Sequence, residues 1–228
     1  MSGHLSNLTA KSLAKHIDHT LLKPEAKESD IRKLVEEALE YGFYSVCVEA
    51  RWLPIVVPAL AGSSVLPITV IGFPFGTEST AEKVLETESA VRAGAREIDM
   101  VLNRELLKNF EYAAVIEDVQ AVVAAADECP VKVILEISEL DSAEIAIASA
   151  LCKAAGAAYV KTSTGFSQSG ANDEAVALMR RVVGPEMGVK ASGGIRDHAT
   201  SLRMVMAGAT RLGLSASVAI IKEAAERE

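Results

Sequence analysis

Residues 157–165 have the sequence AAYVKTSTG, and residues 187–194 have the sequence MGVKASGG. Each segment is a short apolar run that ends in a lysine, Lys161 or Lys190, followed at once by small, Gly-rich residues. An ammonium group is costly to bury alone, so a lysine in this position suggests a catalytic role. If the two runs are neighbouring strands, they lie about 4.8 Å apart. Two ammonium groups that close disfavour each other's protonation, and a neutral lysine amine attacks carbonyl carbon.

Short apolar runs of this kind recur along the whole chain. We predict eight strands, at Lys15–Asp18, Tyr44–Val48, Pro67–Ile71, Glu97–Leu102, Val131–Ile137, Ala158–Thr162, Gly188–Ala191 and Arg211–Leu214. The segments between them have helical periodicity, and the pairs Ser79 with Glu82 and Asp141 with Glu144 predict capping boxes that open two helices. The triplet Ala-Gly-Ala joins a helical pattern to a predicted strand three times, at residues 93–95, 155–157 and 207–209.

Eight such alternations within 228 residues predict an α/β protein, a single (β/α)8 TIM barrel that forms one domain over residues 1–228. The rival fold is an open doubly wound sheet. That fold normally has a Gly-rich GxGxxG turn after its first strand, and here the segment IDHTLLKPE at residues 17–25 contains no glycine. The barrel is therefore the favoured interpretation.

Composition excludes several functional classes. A net charge of −8 argues against a nucleic-acid-binding surface, and no apolar run approaches the roughly 20 residues of a membrane span. The first 18 residues lack the apolar core of a secretory signal, and three cysteines without a CxxC pair favour a reducing, cytoplasmic setting. His16 and His19 have no further His or Cys cluster beside them, so we expect no metal site.

The active site of a TIM barrel lies at the carboxyl ends of its strands. Asp18, Asp99 and Lys132 join Lys161 and Lys190 as charged residues in or at the ends of predicted strands. A structural ion network is one interpretation; charged residues on several strands, all near one face, favour catalysis. On the residues alone, either Lys161 or Lys190 forms an iminium with an aldehyde or ketone, the other lowers its pKa, and Asp99 moves protons through water.

Glycine-rich loops suggest a phosphate site. Loops after strands seven and eight are the usual phosphate-binding loops of this barrel, and here they contain Gly193, Gly194, Gly213 and Ser215. Backbone donors at Thr164 and Gly165, after strand six, extend the predicted site. Ordinary turn formation explains the same glycines equally well. Thr20 and Cys47, at the ends of strands one and two, complete the candidate substrate-facing residues, although Cys47 also suits a small packed core position.

At these residues the sequence resembles the deoxyribose-phosphate aldolase family, a family of class I aldolases. The matching motifs run along nearly the whole chain and include IDHTLLKP (17–24), VIGFPFG (70–76), EIDMVLN (97–103), VKTSTGF (160–166), VKASGGIRD (189–197) and RLGLSAS (211–217). The resemblance implies a (β/α)8 barrel that reversibly cleaves 2-deoxy-D-ribose 5-phosphate into D-glyceraldehyde 3-phosphate and acetaldehyde, in the breakdown of deoxyribose phosphates.

The resemblance also assigns roles. It implies that Lys161 forms the Schiff base, that Lys190 perturbs it, that Asp99 shuttles protons and that Asp18 and Lys132 support them. It implies phosphate contacts from Gly165, Gly193, Gly194 and Ser215. It further implies small-molecule phosphosugar and aldehyde substrates, no metal or organic cofactor, and a homodimer or homotetramer.

Two departures from the family pattern affect these expectations. Leu214 is bulkier than the residue usual in the strand-eight motif and is expected to narrow the phosphate loop. The chain stops at Glu228 without the terminal tyrosine linked to proton transfer in the family, so a less efficient proton step is expected. Two other hypotheses stay open: a sibling Schiff-base enzyme, such as a transaldolase-like phosphosugar lyase, and a barrel that binds a sugar phosphate without turnover.

Overall fold

The computed structural model describes residues 8–228, in which eight parallel strands close into a barrel. The strands are β1 (Ile17–Leu21), β2 (Ser45–Val48), β3 (Leu66–Ile71), β4 (Glu97–Val101), β5 (Val131–Ile134), β6 (Tyr159–Lys161), β7 (Gly188–Ser192) and β8 (Arg211–Leu214). Each strand pairs with the next in the chain, and β8 pairs with β1 to complete the ring. The predicted (β/α)8 barrel is confirmed.

Helices connect the strands and cover the outside of the barrel. They are α1 (Ala10–Ala14), α2 (Glu28–Tyr41), α3 (Leu53–Ala59), α4 (Thr80–Arg92), α5 (Arg104–Lys108), α6 (Tyr112–Ala125), α7 (Ser142–Ala154), α8 (Asp173–Val183), α9 (His198–Ala207) and α10 (Ser217–Ala225), with short 3-10 helices at Ala50–Trp52 and Ile137–Glu139. No helix in residues 8–228 is long and apolar enough to cross a membrane.

Local signals in the sequence account for several helix boundaries. The predicted capping boxes open α4 and α7: the Ser79 amide donates to Glu82, and the Asp141 amide donates to Glu144. The three Ala-Gly-Ala triplets follow α4, α7 and α9 and lead into β4, β6 and β8, as predicted.

Five predicted strands differ from the structure by a single residue at one or both ends, and two differ by more. Lys15 caps the end of α1, so β1 begins two residues later than predicted and continues to Leu21. As a result Asp18, predicted at the end of the strand, lies inside the barrel. Strand β5 ends at Ile134, and Glu136, predicted to lie within it, takes a left-handed backbone conformation with φ 58°. That turn places Glu136 on the loop that follows β5.

A buried ion pair joins two of the outer helices. Lys83 of α4 and Asp118 of α6 are both buried, with 2.7 Å between Nζ and Oδ2, and the Thr80 hydroxyl donates to the other carboxylate oxygen at 2.7 Å. Removing one partner of such a pair leaves a buried charge without compensation, whereas replacing both with apolar residues of similar volume is often neutral.

We therefore expect Asp118→Ala to lower the free energy of unfolding by about 3–5 kcal/mol, and the double variant Lys83→Met/Asp118→Leu to stay within about 1 kcal/mol of the parent. Chemical denaturation followed by circular dichroism measures both. Arg92→Ala, which breaks an exposed pair with Glu88, is the control and should cost less than about 1 kcal/mol. A double variant as unstable as Asp118→Ala would contradict this account.

Candidate active site

Four charged side chains from β4–β7 meet inside the barrel. They are Asp99, Lys132, Lys161 and Lys190, and none exposes more than 2% of its surface. The strand register explains the meeting, because Asp99 pairs with Lys132 and Lys161 pairs with Lys190 across adjacent strands. The strands that carry Lys161 and Lys190 are neighbours, which is the condition on which the sequence-based argument depended.

The Asp99 carboxylate is the centre of this group. Its Oδ1 lies 2.8 Å from the Lys132 Nζ, and its Oδ2 lies 2.8 Å from the Lys161 Nζ and 2.7 Å from the Lys190 Nζ. Burial alone would raise the pKa of Asp99, but the three ammonium groups hold that pKa well below its usual range. Asp99 is therefore a carboxylate in the resting protein.

A second buried carboxylate, Asp18 of β1, contacts the same network. It contacts the Lys190 Nζ at 2.5 Å and the Arg211 Nη1 at 2.9 Å, and it accepts a hydrogen bond of 2.7 Å from the Ser45 hydroxyl. Burial alone would raise the pKa of Asp18, but Lys190, Lys132 and Arg211 lower it to about 2. Lys190 is thus held between two carboxylates, Asp18 and Asp99.

The two central lysines differ in protonation for this reason. Burial is the largest influence on Lys161 and lowers its pKa; the charge on Lys190 adds to the effect and Asp99 opposes it. Burial also acts on Lys190, but Asp18 and Asp99 outweigh it and raise its pKa. Lys161 is therefore the amine that loses its proton more readily. The sequence suggested Lys190 as the cause of this shift, whereas desolvation contributes more.

Sequence reasoning missed two members of the network, Glu97 and Arg211. Glu97 lies 2.5 Å from the Lys132 Nζ and 3.0 Å from the Arg211 Nη1, and both side chains are buried. Each is the first residue of its strand, β4 or β8. A charged residue at the start of an otherwise apolar strand was the signal available in the sequence.

Cys47 and Thr20 lie side by side on the first two strands, where the barrel register pairs them. Cys47 is fully buried against an apolar cluster that includes Ile68 and Val70, and burial raises the pKa of its thiol to about 11. The thiol is therefore neutral at physiological pH, and contact of Cys47 with substrate stays a prediction. The Thr20 hydroxyl donates to the Asp18 carbonyl at 2.8 Å.

Glycines after β6 and β7 form a close-packed loop pair. Gly165, Gly193 and Gly194 have φ values of 90°, 85° and 76°, a region that disfavours other residues. A β-carbon on Gly193 would come 3.6 Å from the Gly165 Cα, so the two predicted phosphate-binding loops are adjacent. Thr164 was predicted to donate its backbone amide to a phosphate. In the structure its amide and its hydroxyl both donate to Glu136, so they are not free for a phosphate.

The remaining predicted phosphate residues lie on β8 and just beyond it. Ser215 is exposed and lines a cavity of about 670 Å³, together with Thr20 and His19. Leu214 is buried in the core, so it does not project into the loop that it was expected to narrow. Gly213 lies within β8, and a β-carbon there would come 2.9 Å from the Lys190 Cε. Its missing side chain leaves room for Lys190, and phosphate contact by Gly213 stays a prediction.

His16 and His19 both have hydrogen-bond partners within the protein. His19 contacts Ser217 at 2.9 Å and Glu37 at 3.0 Å, and His16 contacts the Thr210 carbonyl at 3.1 Å. Across residues 8–228, no group of three or more His, Cys, Asp or Glu side chains is arranged to hold a metal ion.

Comparisons with known proteins identify the family of this chain. Residues 12–222 match the model of the DeoC/LacD family aldolases. The chain is 52% identical over 210 residues to the deoxyribose-phosphate aldolase of Streptococcus sanguinis (92% of this chain, 96% of that protein) and 54% identical over 207 residues to that of Coprothermobacter proteolyticus (91% and 94%). The solved tetrameric deoxyribose phosphate aldolase from Aeropyrum pernix is 35% identical, with a TM-score of 0.88 over 94% of this chain and 91% of that one.

The contact between Gly213 and Lys190 provides a test of the network. In Gly213→Ala, the new methyl group would approach the Lys190 Cε and the Ser192 Cβ, both at 2.9 Å, and displace the Lys190 ammonium from its carboxylates. We expect borohydride trapping of acetaldehyde on Lys161 at neutral pH to slow by about tenfold, the equivalent of one pKa unit.

Gly62→Ala is the matched control, because no heavy atom lies within 4 Å of its β-carbon but its φ of 77° imposes backbone strain. It should lose stability and keep the trapping rate. Mass spectrometry of the reduced adduct measures the rate in both variants. An unchanged rate in Gly213→Ala would show that this glycine does not protect the position of Lys190.

Proposed function

Because the chain belongs to the DeoC/LacD family of aldolases, we propose that it reversibly cleaves 2-deoxy-D-ribose 5-phosphate into D-glyceraldehyde 3-phosphate and acetaldehyde through a Schiff base on Lys161. One observation carries the assignment: Lys161 is a buried amine with a lowered pKa, beside a lysine whose pKa is raised. A class I aldolase needs this pair, since one amine must be neutral to attack and another group must stay cationic.

The first step is carbinolamine formation. The neutral Lys161 Nζ attacks the C1 aldehyde carbon of the open-chain sugar, and loss of water leaves an iminium ion. The Lys190 ammonium, 2.7 Å from Asp99, places a positive charge beside the oxygen that becomes negative during attack. Asp99 contacts both amines and accepts the proton that leaves Lys161.

The second step breaks the bond between C2 and C3. The C3 hydroxyl loses a proton, its electrons form the carbonyl of glyceraldehyde 3-phosphate, and the C2–C3 electron pair moves onto the iminium to give an enamine. Protonation of C2 and addition of water then release acetaldehyde and restore the Lys161 amine. Asp99 is the nearby group that takes up and returns protons, with Lys132 holding its other oxygen at 2.8 Å.

Phosphate recognition is assigned to the loops after β6, β7 and β8. The adjacent Gly165 and Gly193 support this assignment, because glycines with positive φ let backbone amides approach an anion closely. Gly194 and Ser215 extend the same rim. Ser215 is exposed, as a residue that meets a soluble substrate must be.

Several further properties are part of the proposal. We propose that residues 1–228 act as one domain, that the reaction uses no metal or organic cofactor, and that the enzyme works in the cytoplasm on small phosphosugars and aldehydes. A homodimer or homotetramer is the proposed assembly; the Aeropyrum pernix relative is described as tetrameric. Size-exclusion chromatography with light scattering would determine the number of subunits.

Lys161→Met should abolish turnover. The substitution keeps the length of the side chain and removes the nucleophile, so we expect kcat for deoxyribose 5-phosphate to fall by at least about a thousandfold, with no borohydride adduct on the variant. Lys222→Met, which alters an exposed lysine on α10, is the control and should keep full activity.

The same assay separates the alternatives. Acetaldehyde release from deoxyribose 5-phosphate supports the proposal. An adduct at Lys161 with cleavage of a different sugar phosphate would identify a sibling lyase. Binding of the sugar phosphate with no adduct would identify a non-catalytic barrel.

Lys190→Leu should move the pH dependence of imine formation upward. Removing this cation takes away a repulsion that lowers the pKa of Lys161 and leaves Asp99 free to stabilise the protonated amine. Deprotonation of Lys161 then requires higher pH, by about one unit or more. Trapping rates measured across the pH range test this, and a profile identical to that of the parent would refute the coupling between the two lysines.

A further inference from the structure

Two charged side chains lie at the closed end of the barrel, away from the substrate loops. Glu97 begins β4 and Arg211 begins β8, and they are 2% and 3% exposed. The strands are parallel, so their first residues lie at the end opposite the active-site mouth. Neither side chain is placed to touch the substrate, and the reaction described above uses neither.

Arg211 is held rigidly in this position. Its Nη1 donates to the Asp18 Oδ1 at 2.9 Å and to the Glu97 Oε2 at 3.0 Å, and its Nη2 donates to the Tyr159 hydroxyl at 3.2 Å. The guanidinium carbon also lies 3.4 Å from the centre of the Tyr44 ring. Stacking on the ring and this set of hydrogen bonds fix the position of the guanidinium charge.

The carboxylates that Arg211 contacts are shared with the lysines above it. Asp18 also contacts the Lys190 Nζ, and Glu97 also contacts the Lys132 Nζ, each at 2.5 Å. Both of those ammonium groups bind Asp99, the carboxylate that contacts Lys161. The chain of ion pairs is therefore continuous from the closed end of the barrel to the reacting amine.

The charges of this network explain why the connection matters. It contains three carboxylates and four basic side chains, listed together as Asp18, Glu97, Asp99, Lys132, Lys161, Lys190 and Arg211. With Lys161 neutral, three negative charges face three positive charges. With Lys161 protonated, one positive charge is left over in a buried site, where uncompensated charge is costly.

We propose that Glu97 and Arg211 are positioning residues that set the charge state of Lys161 from the far end of the barrel. The inference rests on the proposed function, in which Lys161 is the reacting amine. The ionisable groups that face Lys161 are Asp99 on β4, Lys190 on β7 and the neutral Cys47 on β2, with Lys132 and Asp18 behind them. Those that face Arg211 are Asp18, Glu97, Tyr159 and Tyr44.

Opposite effects are expected for the two residues. In Arg211→Met, three carboxylates face three lysines, so the network balances with Lys161 protonated and imine formation requires higher pH. In Glu97→Gln, only two carboxylates remain, so protonation of Lys161 becomes less favourable and imine formation begins at lower pH. A residue that merely stabilises the fold would give no such difference in sign.

The experiment measures borohydride trapping of acetaldehyde at Lys161 across the pH range, with adducts located by mass spectrometry. We expect the midpoint to rise by about one unit in Arg211→Met and to fall by about one unit in Glu97→Gln. The double variant should return close to the parent, and Arg211→Lys should restore much of the parental midpoint. If Arg211→Met does not fold, the downward shift in Glu97→Gln decides the question alone.

Midpoints that stay at the parental value, or that move in the same direction in both single variants, would overturn the inference while leaving Lys161 as the Schiff-base lysine. Absence of any adduct at Lys161 in the parent protein would instead overturn the proposed function, and this inference with it. Acetaldehyde carries no phosphate, so a defect in phosphate binding does not affect the test of the inference or the test of the proposed function.

Discussion

The arrangement of charges inside this barrel depends on the contact of one carboxylate with three lysine side chains. Asp99 has no access to solvent, and without Lys132, Lys161 and Lys190 its charge could not be kept there. The lysines depend equally on the carboxylate. Because each lysine comes from a different strand, the ion contacts also fix how β4–β7 sit against one another. Catalytic chemistry and barrel geometry are therefore parts of one arrangement.

Two chemically identical side chains, Lys161 and Lys190, differ in the number of carboxylates that they contact. Lys190 has two carboxylate partners, Asp18 and Asp99, while Lys161 has Asp99 alone among the ion pairs of residues 8–228. The same desolvation therefore acts on both, but it is overcome only at Lys190. No special property of either lysine is required. The number of carboxylates within reach decides which amine loses its proton more readily.

Much of the fold could be predicted from the sequence, because strands buried on both faces give uninterrupted apolar runs. The eight runs and the helix caps at Ser79 and Asp141 all followed from local patterns. The left-handed turn at Glu136 did not, since no glycine marks it. That turn carries the Glu136 carboxylate to Thr164, which diverts a predicted phosphate donor. Arg211 and Glu97 were missed because the sequence does not show which strand-initial side chains point into a closed barrel.

The burial of the whole ion network has a consequence for solution conditions. Dissolved ions screen charges that face water, over a Debye length of about 8 Å at physiological ionic strength, but they screen buried ion pairs much less. Asp18, Asp99, Lys132 and Lys190 have no measurable contact with solvent. The electrostatic environment of Lys161 is thus less sensitive to added salt than that of a surface lysine.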